Sequence, residues 1–148
     1  MEEQISNQQA FSEKVVWITG ASGGIGEEMA VAFAEIGSKV VLSARNRQQL
    51  ERVRDRCFDA GASHESVLVL PLDVVDLDAM PAAVDSVMES YSRIDLLINN
   101  AGVGVRDFCT DVKIDLYRTA LEVNLIGPIA LTKQVLPIMI KQKSGHIA

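Results

Sequence analysis

The chain has 148 residues, the size of about one domain with a modest core. It is 48% hydrophobic and 23% charged, the composition of an ordinary globular protein and not of a disordered tail. The formal net charge is −6 with no Lys/Arg cluster, which argues against nucleic acid or an anionic membrane as the main partner and requires any phosphate site to draw on local positive potential.

A polar leader over residues 1–13 precedes the first expected strand, Lys14 to Thr19. A helix is expected from about Gly24 to Ile36, with Ile25, Met29, Phe33 and Ile36 on one stripe and Gly37 as its stop. Val40-Val41-Leu42 is the second strand, after which Asn46 and Gln49 have the spacing of an N-cap and its N3 partner. The helix they open carries Leu50, Val53 and Cys57 and ends at Gly61. Val67 to Leu72 is the third strand. Asp76 or Asp78 can cap the next helix, whose stripe is Leu77, Met80, Val84, Val87 and Tyr91. Leu96-Leu97-Ile98 is the fourth strand, and a long helix follows from about Asp115 to Lys141, with Leu121, Leu125, Val135 and Met139 in register and Pro128 and Pro137 placed to bend it. Gly145-His146-Ile147-Ala148 has the look of a further strand beginning.

The strands are short continuous apolar runs without period-two alternation. Parallel strands buried on both faces look like this, and right-handed helical crossovers join them. The expected fold class is therefore α/β, a doubly wound parallel sheet, incomplete, with four strands plus the start of a fifth.

Thr19 to Gly26 reads T-G-A-S-G-G-I-G at the point where a strand gives way to a helix. Gly20 suits a tight turn there, Gly24 lets backbone approach a ligand, and Gly26 lets the helix pack close to the strand. The helix start adds unpaired N–H groups and the positive end of its dipole, so the whole suits a diphosphate. Arg45 closes the second strand, about twenty residues beyond the glycine turn, where an adenosine ribose lies in a dinucleotide fold. A carboxylate there would favour the 2′-hydroxyl of NAD. With Ala44 and Arg45 at this place and Arg47 alongside, a forked guanidinium fits a 2′-phosphate, and NADP(H) is favoured over NAD(H).

Asp73-Val74 follows the third strand. Its acid can accept from the exocyclic amine of adenine, although a loop Asp alone is more often a cap or turn residue. Asn99-Asn100-Ala101-Gly102 ends the fourth strand, where amides can tie neighbouring strands and the two small residues let a sugar lie close. Cys57 and Cys109 make no zinc spacing and no redox pair and read as free thiols; His64 and His146 fall in no ligand pattern, so no metal is expected. No window holds the roughly eighteen uninterrupted apolar residues of a membrane span, and the acidic start Met1-Glu2-Glu3-Gln4 is not a secretory signal. The chain by itself reads as cytoplasmic.

These motifs together resemble the short-chain dehydrogenase/reductase family. The turn Thr19–Gly26 matches its cofactor motif, Asp73-Val74 and Asn99-Asn100-Ala101-Gly102 match the next two, and Glu122-Val123-Asn124-Leu125-Ile126-Gly127 with Thr132 matches the signature on its long fifth helix. The resemblance covers residues 14–148 and implies a Rossmann-type fold. It implies an NADP(H)-dependent oxidoreductase of carbonyl or alcohol groups whose cofactor is held by Thr19, Gly20, Ser22, Gly24, Ile25, Gly26, Arg45, Asn46, Asp73, Val74, Asn100, Ala101 and Gly102. Asn124 would be the family's catalytic asparagine, kinking its helix so that a backbone carbonyl holds a water of the proton relay. Read without the family, Asn124 is a helix residue bonded to nearby backbone.

Gly23 is a departure, since many relatives carry serine or a basic residue there. That leaves 2′-phosphate recognition to Arg45 and Ser22. Within the family, three stretches (52–57, 67–73 and 135–140) look most like a subgroup that reduces steroids, retinals and xenobiotics. Its members carry an N-terminal membrane segment, so the endoplasmic reticulum membrane is the location that kinship implies.

The family's acid is a tyrosine with a lysine four positions on, aided by a serine on the fifth strand. Tyr91 is followed four later by Asp95 and Tyr117 by Leu121, and Ser144 precedes the fifth strand. The expectation is a cofactor-binding fragment, inactive alone, with an open apolar edge on the fourth strand. The helix over 115–141 is expected to pack on a second copy. A non-catalytic dinucleotide-binding or dimerising product is the alternative.

Overall fold

The computed structural model describes residues 10–148, so most of the expected leader, residues 1–9, lies outside the described residues. Five strands, β1 (Val15–Thr19), β2 (Lys39–Ser43), β3 (Val67–Val69), β4 (Leu96–Ile98) and β5 (His146–Ile147), form one parallel sheet in the order β3-β2-β1-β4-β5. The helices α1 (Gly24–Glu35), α2 (Arg47–Asp59), α3 (Met80–Tyr91) and α4 (Ile114–Gln142) make the crossovers. The α/β doubly wound Rossmann-type fold is thus what the chain adopts.

Every residue of β1 is buried, and successive side chains serve opposite faces. Val16 and Ile18 join Val40, Leu42, Leu50 and Val53 under α1 and α2, while Val15 and Trp17 join Val84, Leu97, Leu131 and Val135 under α3 and α4. Burial on both faces is why these strands read as continuous apolar runs.

The sheet reverses its order between β1 and β4. Their carboxyl ends open a crevice there, the place where such sheets bind ligands. β3 lies at the sheet edge, and beyond its last residue Leu70 and Leu72 still donate to the carbonyls of Leu42 and Ala44 at 2.9 and 3.0 Å. The nitrogen of Pro71 between them faces the open side, where no ladder donor is needed. Asn46 caps α2 through its side chain at 3.1 Å from Gln49 N, as the spacing implied. Asp76 caps a short 3₁₀ turn, Leu77–Ala79, ahead of α3.

Three expectations need correction. The β4 edge is covered: Leu96 and Leu97 pair with His146 and Ile147, so the open edge lies on β5. The core face of α1 is Gly26, Ala30 and Ala34; these small residues bring the helix close to the sheet and leave Ile25 in solvent, with Met29 and Phe33 at the flanks. In α4, Leu131, Val135 and Met139 are buried, whereas Leu121 and Leu125 are exposed. A π segment, Glu122–Ile126, separates Leu121 from the buried group and contains Leu125, and its extra residue rotates the first half of the helix off the core register. The helix continues through Pro128 and Pro137. α4 is also long and apolar enough to cross a membrane by length and composition.

Candidate functional site

A cleft of about 680 Å³ opens at the carboxyl ends of β1, β2 and β4. Its floor is the glycine turn with Gly20, Ser22, Gly23, Gly24 and Ile25. One end is formed by Ala44, Arg45, Asn46 and Asp73, and the other by Asn100, Gly102, Val103, Arg106 and Val123. Most of the residues singled out from sequence therefore meet at one place. Gln49, Leu72, Val103, Arg106 and Val123 are additions. Val123 stands within the signature around Asn124 and Gln49 is the partner of the Asn46 cap, while Leu72, Val103 and Arg106 fall outside the motifs and only their neighbours Asp73 and Gly102 could have pointed to them.

The turn is shaped by contact. Gly20 has φ +66, and a Cβ on it would lie 2.8 Å from Ala101 Cα. A Cβ on Gly26 would overlap the Gly20 carbonyl oxygen and lie 2.6 Å from Asn100 Nδ2. Only glycine allows α1 to begin this close to β1 and β4. Gly24, by contrast, faces open space in the cleft, which leaves its backbone accessible.

Thr19 was expected beside the diphosphate, but it is buried behind the turn. Its hydroxyl donates to the Ile98 carbonyl at 3.3 Å and accepts from Ala101 N at 3.0 Å, so it ties β1 to β4 and faces away from the cleft. Gly26 is likewise buried and acts through packing. Asn100 donates to the carbonyls of Thr19 and Gly20 at 3.1 and 3.3 Å, and Asn99 donates to Ala148 O, just after β5, at 3.4 Å. Both asparagines thus lace strands together at the switch point. Trp17 lies in the core with its Nε1 donating to Ser43 Oγ at 2.8 Å.

Arg45 is exposed at the rim. Six of the eight arginines hold an acid, whereas Arg45 and Arg106, both lining the cleft, have no ion pair among the described residues. In a chain of net charge −6 these two cations are local positive potential at either end of one crevice. Asp73 accepts from Val75 N at 3.2 Å in an Asx turn, and its other oxygen makes no hydrogen bond among the described residues. Val74 is buried and meets α4: a Cβ on Gly127 would lie 2.5 Å from the Val74 carbonyl oxygen.

Asn124 sits in the π segment, where Gly127 N–H reaches back five residues to the Glu122 carbonyl. Its side-chain amide is fully engaged with Val103, accepting from Val103 N and donating to Val103 O, each at 2.8 Å. Pro128 has no N–H to offer the Asn124 carbonyl four residues back. The side chain therefore anchors the loop after β4, and the backbone carbonyl lacks its α-helical donor.

Beneath the turn, Glu27 on α1 is buried and held by Arg52 and Arg56 from α2. Hydrogen bonds from Arg52, reinforced by Arg56 and opposed by burial, bring its carboxyl down to about 2. No sequence signal announced this network, since its members are separated by α1's end and the whole of β2. Burial pushes the thiol of Cys57, on the core face of α2, up to about 11.

The model of the short chain dehydrogenase family matches residues 14–148. The human dehydrogenase/reductase SDR family member 7 is 47% identical over 138 residues, covering 93% of this chain and 41% of that protein. A Drosophila melanogaster member 7-like protein is 43% identical over 136 residues, with shares of 90% and 41%. This chain thus spans about two fifths of those relatives. A crystallised metagenomic short-chain oxidoreductase in complex with NADP superposes with a TM-score of 0.85 at 34% identity, over 93% of this chain and 62% of that one. An NAD⁺-bound xylitol dehydrogenase does so with 0.84 at 33%, over 93% and 52%.

Proposed function

This chain belongs to the short-chain dehydrogenase family, and from that premise we propose that residues 14–148 hold NADP(H) for an oxidoreductase of carbonyl or alcohol groups. The observation that carries this reading is the cleft at the β1/β4 switch point, floored by the glycine turn and ended by Arg45, which has no ion pair among the described residues. Open space over Gly24 and the start of α1 suit a diphosphate. The Arg45 fork suits a 2′-phosphate, and no acid at the end of β2 competes for it. Solved relatives are described with NADP and with NAD⁺, so the cofactor class has support from kinship and the choice between the two rests on Arg45.

The bound dinucleotide would supply or accept the hydride. This chain's own part is to orient it: Asp73 and Val74 border the adenine end, while Asn100, Ala101 and Gly102 border the opposite end. Asn124 fixes Val103 there and leaves its backbone carbonyl to hold a water. Neither Tyr91 nor Tyr117 is followed by a lysine four positions later, so the 148-residue chain is expected to bind cofactor without turnover. Leu116, Leu121, Leu125, Ile129 and Ile140 stand exposed along α4 and support self-association through that helix. Burial of Leu131, Val135 and Met139 against the sheet supports reading α4 as a packing helix and not a membrane span, with the domain on the aqueous side.

Calorimetric titration of the purified chain tests the proposal. NADPH should bind tighter than NADH, and Arg45→Ala should remove about tenfold of that preference, the size of one lost charge-assisted contact. Equal affinity of the parent for both would overturn the assignment of Arg45.

A further inference from the structure

We propose that Arg52 is a positioning residue for dinucleotide binding: it neutralises Glu27, a carboxylate that the fold places beneath the glycine turn, and so frees the turn to accept a diphosphate. The inference rests on the cofactor reading of the cleft. Glu27 follows Gly26 in the first turn of α1, and its side chain is only 8% exposed. An anion there stabilises the helix, because the first turn carries unpaired N–H groups and the positive end of the dipole. A bound phosphate would use the same region. A fixed carboxylate therefore competes with the ligand for one small volume of positive potential. It is close enough to matter, since a Cβ on Gly23, in the cleft floor, would lie 3.9 Å from Glu27 Oε2.

The counter-charge comes from α2. Arg52 Nη1 donates to Glu27 Oε1 and Nη2 to Oε2, each at 2.6 Å, a forked pair. The same Nη2 donates to the Ser22 carbonyl at 3.2 Å, so one guanidinium holds both the carboxylate and the turn. Arg56 Nη1 adds bonds of 2.6 Å to Glu27 and 2.8 Å to Glu28. Facing Glu27 are therefore Arg52, Arg56 and the Cys57 thiol from α2, with Glu28 on its own helix. Ser22, Gly23 and Gly24 of the turn bring no titratable group. Two arginines balance two glutamates. Removing Arg52 leaves a net negative charge under the phosphate site.

Arg52 and Arg45 should then be separable. Arg45 addresses a phosphate that only NADP(H) has, whereas Arg52 acts on the diphosphate shared by both dinucleotides. The experiment is calorimetric titration of NADPH and NADH into the parent chain, Arg52→Gln, Arg52→Lys and the double variant Glu27→Gln/Arg52→Gln, with thermal melts as a folding control. Arg52→Gln should weaken both ligands about tenfold, the effect of one unscreened charge near the site, and leave their ratio as in the parent. The double variant replaces the ion pair by two neutral amides and should return both affinities to within about threefold of the parent. Arg52→Lys keeps the charge without the fork and should lose less than Arg52→Gln. Unchanged binding by Arg52→Gln overturns the proposal. So does a double variant that melts like the parent yet binds as weakly as Arg52→Gln, or a lysine variant as weak as glutamine. A parent chain that binds neither dinucleotide overturns the cofactor reading, and the Arg52 assignment falls with it.

Discussion

The two walls of the cleft are built to different standards. On one side, β1, the glycine turn and α1 are locked by buried contacts: Gly26 against Gly20, Thr19 against Ile98 and Ala101, and Glu27 against Arg52. On the other, the chain from Gly102 to Ile126 stands largely in solvent, with Phe108 78% and Leu121 56% exposed, and Asn124 fastens it to α4 through Val103. Contact density sets local stability, so the first wall is pre-formed and the second is able to open at small cost. A phosphate site benefits from fixed N–H groups. The loop that borders the opposite end of the ligand benefits from give.

The largest test of this contrast falls on the locked wall. Gly26→Ala places a methyl group on the Gly20 carbonyl and should destabilise the chain by about 3 kcal/mol, measured by chemical denaturation. Gly23→Ala makes the control, since its Cβ meets nothing nearer than 3.9 Å and its φ of 178 is ordinary extended backbone. That variant should stay within about 0.5 kcal/mol of the parent. Comparable losses from both would mean that the turn is not held by contact.

Acid should weaken the same wall next. The Glu27 carboxyl, held at about 2 by Arg52 and Arg56, binds its proton more readily in the unfolded chain. Its contribution is therefore complete above the ordinary carboxylate value of 4.5 and is lost as pH falls from there towards 2. With both arginines partly in water, the loss should amount to about 1–2 kcal/mol. Denaturant midpoints at pH 6 and pH 3 should converge in Glu27→Gln relative to the parent. A residual slope should remain from Asp95, whose carboxyl is also lowered, by Arg93 and Val15 N against the opposing effect of burial.

The smallest effect belongs to the open wall. Asn124→Ala removes both partners of the Val103 backbone, but water can replace them, so global stability should fall by only about 1 kcal/mol. The local signature should be larger: amide exchange at Val103 should accelerate about tenfold while Val16 and Ile18 in β1 keep the parent's protection. Uniform acceleration across β1 would show that the two walls are one cooperative unit.

The motifs legible in the chain fall mostly where backbone constraints are local. The Asn46 cap and the Asx turn at Asp73 depend on residues within a few positions, and the glycine turn, though Asn100 and Ala101 pack on it, is spelled by glycines within one short run; each stands where the spacing put it. The expected apolar stripe of α1 and the first half of that of α4 failed for reasons of packing, whereas Val135 and Met139 are buried as expected. Close approach to the sheet selects the small residues Gly26, Ala30 and Ala34, and the π segment at Glu122–Ile126 turns Leu121 and Leu125 outward. Hydrophobicity alone marks large residues and is blind to both effects.

The sequence by itself determined the parallel sheet, the glycine turn and the rim position of Arg45, because apolar runs, glycines and strand ends are read residue by residue. Tertiary structure alone decided that Thr19 faces inward, that β5 covers β4, that Asn124 clasps Val103, and that Arg52 shields Glu27 beneath the turn. Each of these joins residues from 21 to 82 positions apart or depends on which of two faces a side chain meets. The pattern along one chain carries no record of such contacts until the sheet brings them within reach.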